Sequence, residues 1–185
     1  MRRLSGKSLL AALIVVTTSC AFAQTPAPAP ATAPLPAPAK PCVAPEYRQF
    51  DFWLGDWNVF NPDGKPAGQS KIEPIANGCA ILENWSSGGG AFTGKSLNIY
   101  DRDDKRWHQS WVDSNGGRLE LTGGFADRKM TLEGTALNQP KPGDKTIQRI
   151  TWTANTDGSV RQLWESSTDG GKTWSIAFDG KYVRK

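Results

Sequence analysis

The sequence predicts an all-β protein whose folded part is a single antiparallel, up-and-down barrel of about ten strands. Between Glu46 and Lys185 the chain has almost no helical periodicity and contains many short runs of alternating polar and apolar residues. Each run is followed by Gly, Asn or Asp residues, which supply the positive φ angles that tight hairpins need. A ten-stranded meander can close on itself and so remove its exposed edges. A sandwich is the alternative arrangement.

Ten segments have the strand pattern, and a turn signal such as Asn77-Gly78 or Asp157-Gly158 separates neighbouring segments. The predicted strands are Trp57–Phe60, Gln69–Ala76, Ala80–Ser86, Lys95–Tyr100, Arg106–Val112, Arg118–Thr122, Lys129–Thr135, Thr146–Ala154, Ser159–Ser166 and Trp174–Val183. The segment Glu46–Trp53 precedes the first strand. We expect it to form a short helical or irregular plug across one end of the barrel.

The N-terminus has the pattern of an export signal covering residues 1–23. Positive charges at its start are followed by the short apolar run Leu9–Val16 and by Ala21-Phe22-Ala23, a cleavage signal of the A-x-A type. The alternative interpretation is lipidation of Cys20, which would anchor the protein to a membrane. We therefore expect a periplasmic or secreted protein, with membrane contact only if Cys20 is lipidated.

Residues 24–45 are rich in Pro and Ala and are predicted to form a polyproline II linker rather than part of a core. Residues 46–185 are then one domain, long enough to bury a sizeable core. This organisation places the signal peptide, the linker and the barrel domain in that order along the chain. Nothing in the sequence predicts the oligomeric state.

The charge of the chain argues against nucleic acid as a partner. The formal net charge is +4, from 22 Lys plus Arg against 18 Asp plus Glu. Three of the positive charges lie in the signal peptide, so the exported product is nearly neutral. No cluster of Lys and Arg is interleaved with aromatic residues, and a basic footprint of that kind is the first requirement of a nucleic-acid-binding surface.

Cleavage after Ala23 leaves two cysteines, Cys42 and Cys79, which are predicted to form one disulfide in an oxidising compartment. It would hold the segment that enters the domain against the start of the third strand and contribute about 3 to 4 kcal/mol in the chain-entropy model. The alternative is two free, buried thiols.

The spacing S-x-D-x-G-x-T-W from Ser167 to Trp174 resembles the Asp-box of sialidase-type propellers. A propeller needs at least four blades of about 40 to 50 residues, and the motif occurs once in a domain too short for that ring. We therefore interpret it as a structural hairpin in which Ser167 and Asp169 cap backbone amides and Trp174 packs beneath the turn.

Several stretches along the domain together resemble an uncharacterised family of exported bacterial domains described as lipocalin-like or calycin-like β-barrels. They include Phe50–Trp57 with its Gly55-Asp56-Trp57, Gly94–Asp101, Trp107–Asp113 and Asp169–Trp174. A Gly-x-Trp on the first strand of a meander is also a lipocalin feature. The resemblance implies the barrel fold, and it implies no particular activity.

Side-chain alternation predicts which residues face the barrel interior. In the fourth strand, charged Lys95 and Asp101 favour the outer face, which places Ser96, Asn98 and Tyr100 inside. The candidate ligand-binding residues on the inner faces are Trp57, Glu83, Trp85, Ser96, Asn98, Tyr100, Trp107, Gln109, Trp111 and Trp164. Apolar walls with a few polar groups are typical of ligand pockets. The alternative is that these side chains only pack and hydrogen-bond with one another.

Apolar side chains of other strands have more ordinary core roles. Leu119, Leu121, Met130 and Leu132 are predicted to close one side of the barrel. Two pairs share a face in the eighth and ninth strands, namely Ile150 with Trp152 and Gln162 with Trp164.

Three functions of different classes fit this sequence. The first is an exported barrel that binds a small, partly apolar ligand. The second is an isomerase or hydrolase that uses Glu83 with Tyr100, although no residue is identified as catalytic. The third is an envelope interaction module with a filled core and an exposed apolar patch at Leu97 and Ile99. The only histidine, His108, is predicted to face outward, so we expect neither haem nor a metal, and no other cofactor.

Overall fold

The computed structural model of the protein describes residues 42–136 and 146–185. The predicted signal peptide, Cys20 and residues 24–41 of the predicted linker lie outside the described residues. The predicted boundary between linker and domain falls at the start of the described chain, where a short 3₁₀ helix begins at Pro45.

Ten antiparallel strands form one closed barrel, which confirms the predicted fold class and not the sandwich. The strands are β1 (Gly55–Phe60), β2 (Pro66–Ile75), β3 (Ala80–Ser87), β4 (Thr93–Asp101), β5 (Arg106–Asp113), β6 (Arg118–Ala126), β7 (Lys129–Ala136), β8 (Ile147–Ala154), β9 (Val160–Ser167) and β10 (Ser175–Arg184). Each strand pairs with its neighbours in sequence, and β1 pairs with β10 to close the ring. Closure leaves no unpaired sheet edge.

Several strands are longer than the sequence predicted. β6 continues through Gly123 and Gly124, which pair with Leu132 and Thr131 of β7. These glycines weaken the strand signal in the sequence, but pairing on both sides supports the extended backbone there. β2 begins at Pro66, a strand end where the missing N–H of proline removes no interior ladder bond.

The segment before β1 forms a plug over Pro45–Trp53, which includes the predicted Glu46–Trp53. It contains two 3₁₀ helices, Pro45–Arg48 and Asp51–Trp53, and its Phe50 and Trp53 are fully buried. The rings of Phe50 and Trp53 stack with centroids 4.8 Å apart, and Phe50 also contacts Trp107 of β5 and Trp152 of β8. Because these contacts reach strands on different sides of the ring, the plug fills one end of the barrel, here called the plug end.

A disulfide joins Cys42 to Cys79, as predicted. Cys79 follows a third 3₁₀ helix, Ala76–Gly78, in the β2–β3 connection and directly precedes β3. The Arg48 side chain of the plug also donates a hydrogen bond to the Gly78 carbonyl. The bridge therefore holds the start of the domain at the plug end, and a disulfide indicates an oxidising, extracytoplasmic environment.

The inward and outward faces follow the predicted alternation. On β4, Ser96 and Asn98 are buried, whereas Leu97 and Ile99 are exposed. The aliphatic residues that were expected to close one side, Leu119 and Leu121 of β6 with Met130 and Leu132 of β7, are all buried. Among the described residues, no helix has the length and apolar character needed to cross a membrane.

Candidate ligand-binding cavity

The half of the barrel away from the plug contains a cavity of about 270 Å³. Its lining residues are Glu83, Trp85, Ser87, Phe92, Gln109, Trp111, Leu119, Ile150, Trp152, Gln162, Trp164, Ala177, Phe178 and Tyr182. Antiparallel order places the last residues of β3, β5 and β9 and the first residues of β6 and β10 at this end, here called the cavity end. Trp152 lines the cavity and also contacts Phe50 and Trp53, so it separates the cavity from the plug.

Five of the ten predicted ligand-binding residues line this cavity. They are Glu83, Trp85, Gln109, Trp111 and Trp164. They come from three strands, β3, β5 and β9, and alternation identified them correctly as interior residues. That they contact a ligand stays a prediction.

Trp57 and Trp107 are interior residues but lie at the plug end, away from the cavity. The Trp57 indole donates to the Trp53 carbonyl at 2.9 Å, and the Trp107 indole donates to the Gln49 amide oxygen at 3.1 Å. Both acceptors belong to the plug. Alternation gives the face of a strand but not the height along the barrel axis, and the aromatic plug occupies this height.

Ser96, Asn98 and Tyr100 are the other three predicted residues that do not line the cavity. Ser96 and Asn98 are buried and connect cavity residues to one another through hydrogen bonds. Tyr100 is only partly buried and packs edge-to-face on Tyr47 of the plug, with ring centroids 5.3 Å apart. It therefore does not share a cavity with Glu83, which removes the predicted Glu83–Tyr100 pairing.

Glu83 is the buried acid of the cavity. It is 3% exposed, and its two carboxylate oxygens accept hydrogen bonds from Ser70 at 3.0 Å and from Ser96 at 2.9 Å. Burial raises the pKa of Glu83 to about 7, because removal from water disfavours the charged form more than the two hydroxyl donors favour it. No Lys, Arg or His is among the described residues that line the cavity.

A chain of amides continues from Glu83 across β4 and β5. Asn98 donates to the Ser96 hydroxyl at 3.0 Å, and Gln109 donates to the Asn98 side-chain oxygen at 2.8 Å. These residues occupy adjacent strands in register, with Glu83 opposite Ser96 and Asn98 opposite Gln109. The network fixes the position of the carboxyl, since every link holds its neighbour in place.

Tyr182 and Gln162 add a second polar pair on the other side of the interior. The Tyr182 hydroxyl donates to the Gln162 side-chain oxygen, and both side chains are buried. Burial raises the pKa of Tyr182 well above its usual value, and the negative charge of Glu83 raises it further. Tyr182 therefore remains a neutral hydrogen-bonding group at neutral pH.

Five large aromatic side chains at the cavity end are only partly buried: Trp85, Phe92, Trp111, Trp164 and Phe178. The Trp111 indole donates to Asp113 at 3.1 Å, and the Trp164 indole donates to Gln148 at 2.6 Å. Because these two N–H groups already have protein acceptors, both side chains present carbon and π surface to the cavity.

Nine lining residues were not among the predicted ligand-binding residues. The sequence predicts a core role for Leu119 and a shared face for Ile150 with Trp152 and for Gln162 with Trp164, so alternation is a usable signal for these residues. Phe178 and Tyr182 lie on β10, where the register against β9 shifts between Ile176 and Phe178. A bulge of this kind interrupts strict alternation, so sequence spacing alone does not assign the first half of β10.

The hairpin between β9 and β10 has the capping role predicted for the Asp-box-like motif. Ser167 accepts a hydrogen bond from the Gly171 backbone N–H at 2.8 Å, and Asp169 accepts bonds from the backbone N–H groups of Lys172 and Thr173. The Trp174 indole donates to the Gly171 carbonyl at 3.0 Å, beneath the turn. These bonds lie within the turn itself and account for the motif as a structural hairpin.

His108 lies on the outer face of β5, as predicted, and its Nε2 is 2.7 Å from an Asp104 carboxylate oxygen. Asp101 completes a group of three possible ligands whose atoms lie within 4.8 Å of one another, an arrangement that sequence spacing did not reveal. Exposed acidic groups at turns often come together without binding a metal.

Leu97 and Ile99 are 47% and 41% exposed, as the interaction-module interpretation expected.

Comparison with family models and with curated proteins identifies no relative of this chain. No protein-family model matches the chain, and no curated protein is significantly similar to it. The ten-stranded antiparallel barrel implied by the lipocalin-like resemblance is shown by the structure, whereas membership of that family is not shown.

Proposed function

We propose that this protein is an exported barrel that binds a small, partly apolar ligand in the Trp-rich cavity. One observation carries the proposal: Trp85, Trp111, Trp164 and Phe178 remain partly uncovered around a cavity that contains buried polar groups. The plug fills the other end of the same barrel with the stacked, fully buried rings of Phe50 and Trp53, whereas the cavity end keeps open space beside its aromatic residues.

The composition of the cavity supports a binding role over a purely packing role. Ligand sites are concave, mostly apolar and contain a few fixed polar groups, and their volumes are typically about 300 to 1,000 Å³. The cavity of about 270 Å³ is just below that range, which suits a small molecule. Covering the partly buried aromatic side chains of the cavity with a ligand would be favourable, because burial of apolar surface contributes about 25 cal/mol for each Å² removed from water.

The barrel architecture and the disulfide support the proposed setting. Closed barrels of this size can hold one small ligand, as lipocalins do. We propose that the protein acts in the periplasm or after secretion. Lipidation of Cys20 would instead place the same barrel at a membrane surface.

Native mass spectrometry on the full-length product, purified from its own envelope, tests this function directly. The expected result is a bound small molecule that disappears on denaturation and that quenches Trp fluorescence when added back. Trp111→Ala should abolish this binding. Trp174→Ala is the matched control, since Trp174 lies in the β9–β10 hairpin, is not a lining residue and packs against Arg149. Equal binding by both variants, or no bound molecule and no saturable quenching by a metabolite panel, would contradict the proposal.

An acid–base enzyme is the second candidate, and a specific observation favours it. Glu83 is a buried carboxyl in a cavity with a pKa of about 7, the kind of perturbed group found at catalytic sites. Tyr182, rather than the predicted Tyr100, is the tyrosine that lines the same cavity. A hydrolase and isomerase screen tests this candidate. Turnover that is lost in Glu83→Gln, with a rate whose pH dependence changes slope near pH 7, would support this candidate. Ligand binding without turnover would exclude it.

A further inference from the structure

We propose that the cavity is a site for a small organic cation, an ammonium group carried on an apolar body, with the charge held by Glu83 among aromatic rings. This inference rests on the proposed binding function and specifies the ligand class for the same site. The charge of the lining residues, the hydrogen bonds of Glu83 and those of the Trp111 and Trp164 indole groups support it independently.

Among the described residues that line the cavity, one carries a formal charge, and that charge is negative. Glu83 is the acid of the cavity, and no described lining residue is basic. Asp113 lies two residues after Trp111 and has its carboxylate turned toward the Trp111 indole. The Glu83 carboxylate would repel an anionic ligand, and no cation lines the described part of the cavity to offset that repulsion. A cationic ligand would itself supply the opposite charge that Glu83 lacks.

The hydrogen bonds of Glu83 leave its charge without a counter-ion. Each oxygen accepts one hydroxyl donor, from Ser70 or Ser96, and neither donor carries a charge. Burying a carboxylate without an opposite charge is unfavourable, so a bound cation would stabilise the ionised form. The two serines orient the carboxyl in advance.

The aromatic walls suit a cation as well as an apolar body. Cations are attracted to the faces of Trp, Tyr and Phe rings, by about 2 kcal/mol or more where water is excluded. Trp85 lies two residues after Glu83 on the same face of β3, and its ring meets Phe178 edge-to-face with centroids 5.8 Å apart. The indole N–H groups of Trp111 and Trp164 are bound to protein acceptors, so neither is available to an anion or a carbonyl oxygen.

The other groups around Glu83 are uncharged at neutral pH. β2 contributes Ser70 and Ile72, β4 contributes Ser96 and Asn98, and β10 contributes the neutral Tyr182. The negative charge opposite a bound permanent cation should therefore be carried by Glu83 alone. At pH 6.5, where this carboxyl is partly protonated, binding should release a proton.

Isothermal titration of the full-length product with three probes of similar size tests the inference. The probes are benzyltrimethylammonium, its uncharged carbon isostere neopentylbenzene, and phenylacetate. We expect the cation to bind about tenfold more tightly than the isostere, and phenylacetate to bind most weakly. At pH 6.5 the binding enthalpy of the cation should vary with the ionisation enthalpy of the buffer, which reports proton release.

Glu83→Gln keeps the shape of the side chain and one acceptor oxygen, replaces the second acceptor by an N–H donor, and removes the charge. It should remove both the preference for the cation and the proton release. Trp85→Leu keeps apolar surface but removes a π face, and it should weaken the cation several-fold while changing the isostere little. It provides the test if Glu83→Gln does not fold.

Two results would overturn the inference while leaving the binding function intact. They are equal affinities for the cation and the isostere in wild type, and a copurifying ligand that is uncharged or anionic. Failure of all three probes to bind, together with the absence of a copurifying ligand, would overturn both the inference and the proposed function.

Discussion

The indole ring of Trp111 lies over Gly94 of the neighbouring strand, so closely that a Cβ atom at Gly94 would overlap the ring. Gly94 stands between two cavity aromatics, because it pairs with Trp85 of β3 on one side and with Asp113, the acceptor of the Trp111 indole, on the other. Glycine is therefore required at position 94, because the Trp111 ring approaches the backbone there too closely for a side chain. The absence of that side chain allows Trp111 to form its part of the cavity wall.

Replacing this glycine should displace Trp111 and weaken ligand binding. We expect Gly94→Ala to cost about 1 to 3 kcal/mol of stability, the usual range for inserting a group into a packed site, and to reduce Trp quenching by the ligand. Gly124→Ala is the matched control, since Gly124 is also a strand glycine but has open space where its Cβ would lie. Denaturant midpoints and fluorescence titration measure both effects, and equal behaviour of the two variants would contradict this account of Gly94.

The buried carboxyl of Glu83 should make the protein less stable as pH rises. Its pKa is 4.5 when unperturbed and about 7 in the fold, so the folded state binds the proton more tightly than the unfolded state. The contribution of this carboxyl to stability is therefore most favourable below about pH 4.5, falls between the two values and stays low above pH 7. The loss between pH 5 and pH 8 should be about 2 to 3 kcal/mol.

Comparison with Glu83→Gln isolates this contribution, because the amide does not titrate. Denaturant unfolding of both proteins at pH 5 and pH 8 gives the difference, and carboxyls elsewhere cancel in the comparison. We expect the variant to gain stability relative to wild type as pH rises. Parallel pH dependences for the two proteins would show that Glu83 has an ordinary pKa.

Local signals explain why the fold was predictable. Turn pairs such as Asn77-Gly78 and Asp157-Gly158 mark hairpins by their own backbone preferences, and alternation on β4 assigns Leu97 outward and Asn98 inward without knowledge of other strands. When ten such strands pair in sequence order, pairing of the first strand with the last is the arrangement that removes both exposed edges of the sheet. The strand ends were less predictable, because pairing with a neighbour extends β6 through Gly123 and Gly124.

The site was predictable only in part because its geometry depends on distant residues. Alternation places Trp107 and Trp111 on the same inner face of β5, but only the plug decides that Trp107 is packed and Trp111 lines the cavity. Phe178 and Tyr182 come from the last strand, which reaches the site through ring closure and after a bulge. Neither the closure register nor the bulge has a local sequence signal.

Removing the disulfide should destabilise the barrel without changing the cavity. Cys42→Ser with Cys79→Ser frees the start of the domain from the β2–β3 connection at the plug end. We expect a loss of about 3 to 4 kcal/mol, since the bridge restricts the unfolded chain. Denaturant unfolding of wild type with a thiol reductant is the matched control and should give the same midpoint as the double variant. An unchanged midpoint in both would mean that the bridge contributes nothing to stability.

Asp169 should stabilise the β9–β10 hairpin as an ionised side chain. It accepts hydrogen bonds from the backbone N–H and hydroxyl of Thr173, from the Ser167 hydroxyl and from the Lys172 N–H, and these bonds lower its pKa to about 2. A carboxyl with a lowered pKa contributes stability above its unfolded value of 3.8, and this contribution is lost as pH falls through about 2.

Asp169→Asn should therefore lower the melting temperature at pH 7, and its difference from wild type should narrow as pH falls from 4 toward 2. Asp127→Asn is the control, because Asp127 occupies the β6–β7 turn at a positive φ that Asn also tolerates. Thermal scans across this pH range measure the difference. A gap between Asp169→Asn and wild type that stays constant down to pH 2 would mean that the hairpin depends on the shape of the side chain and not on its charge.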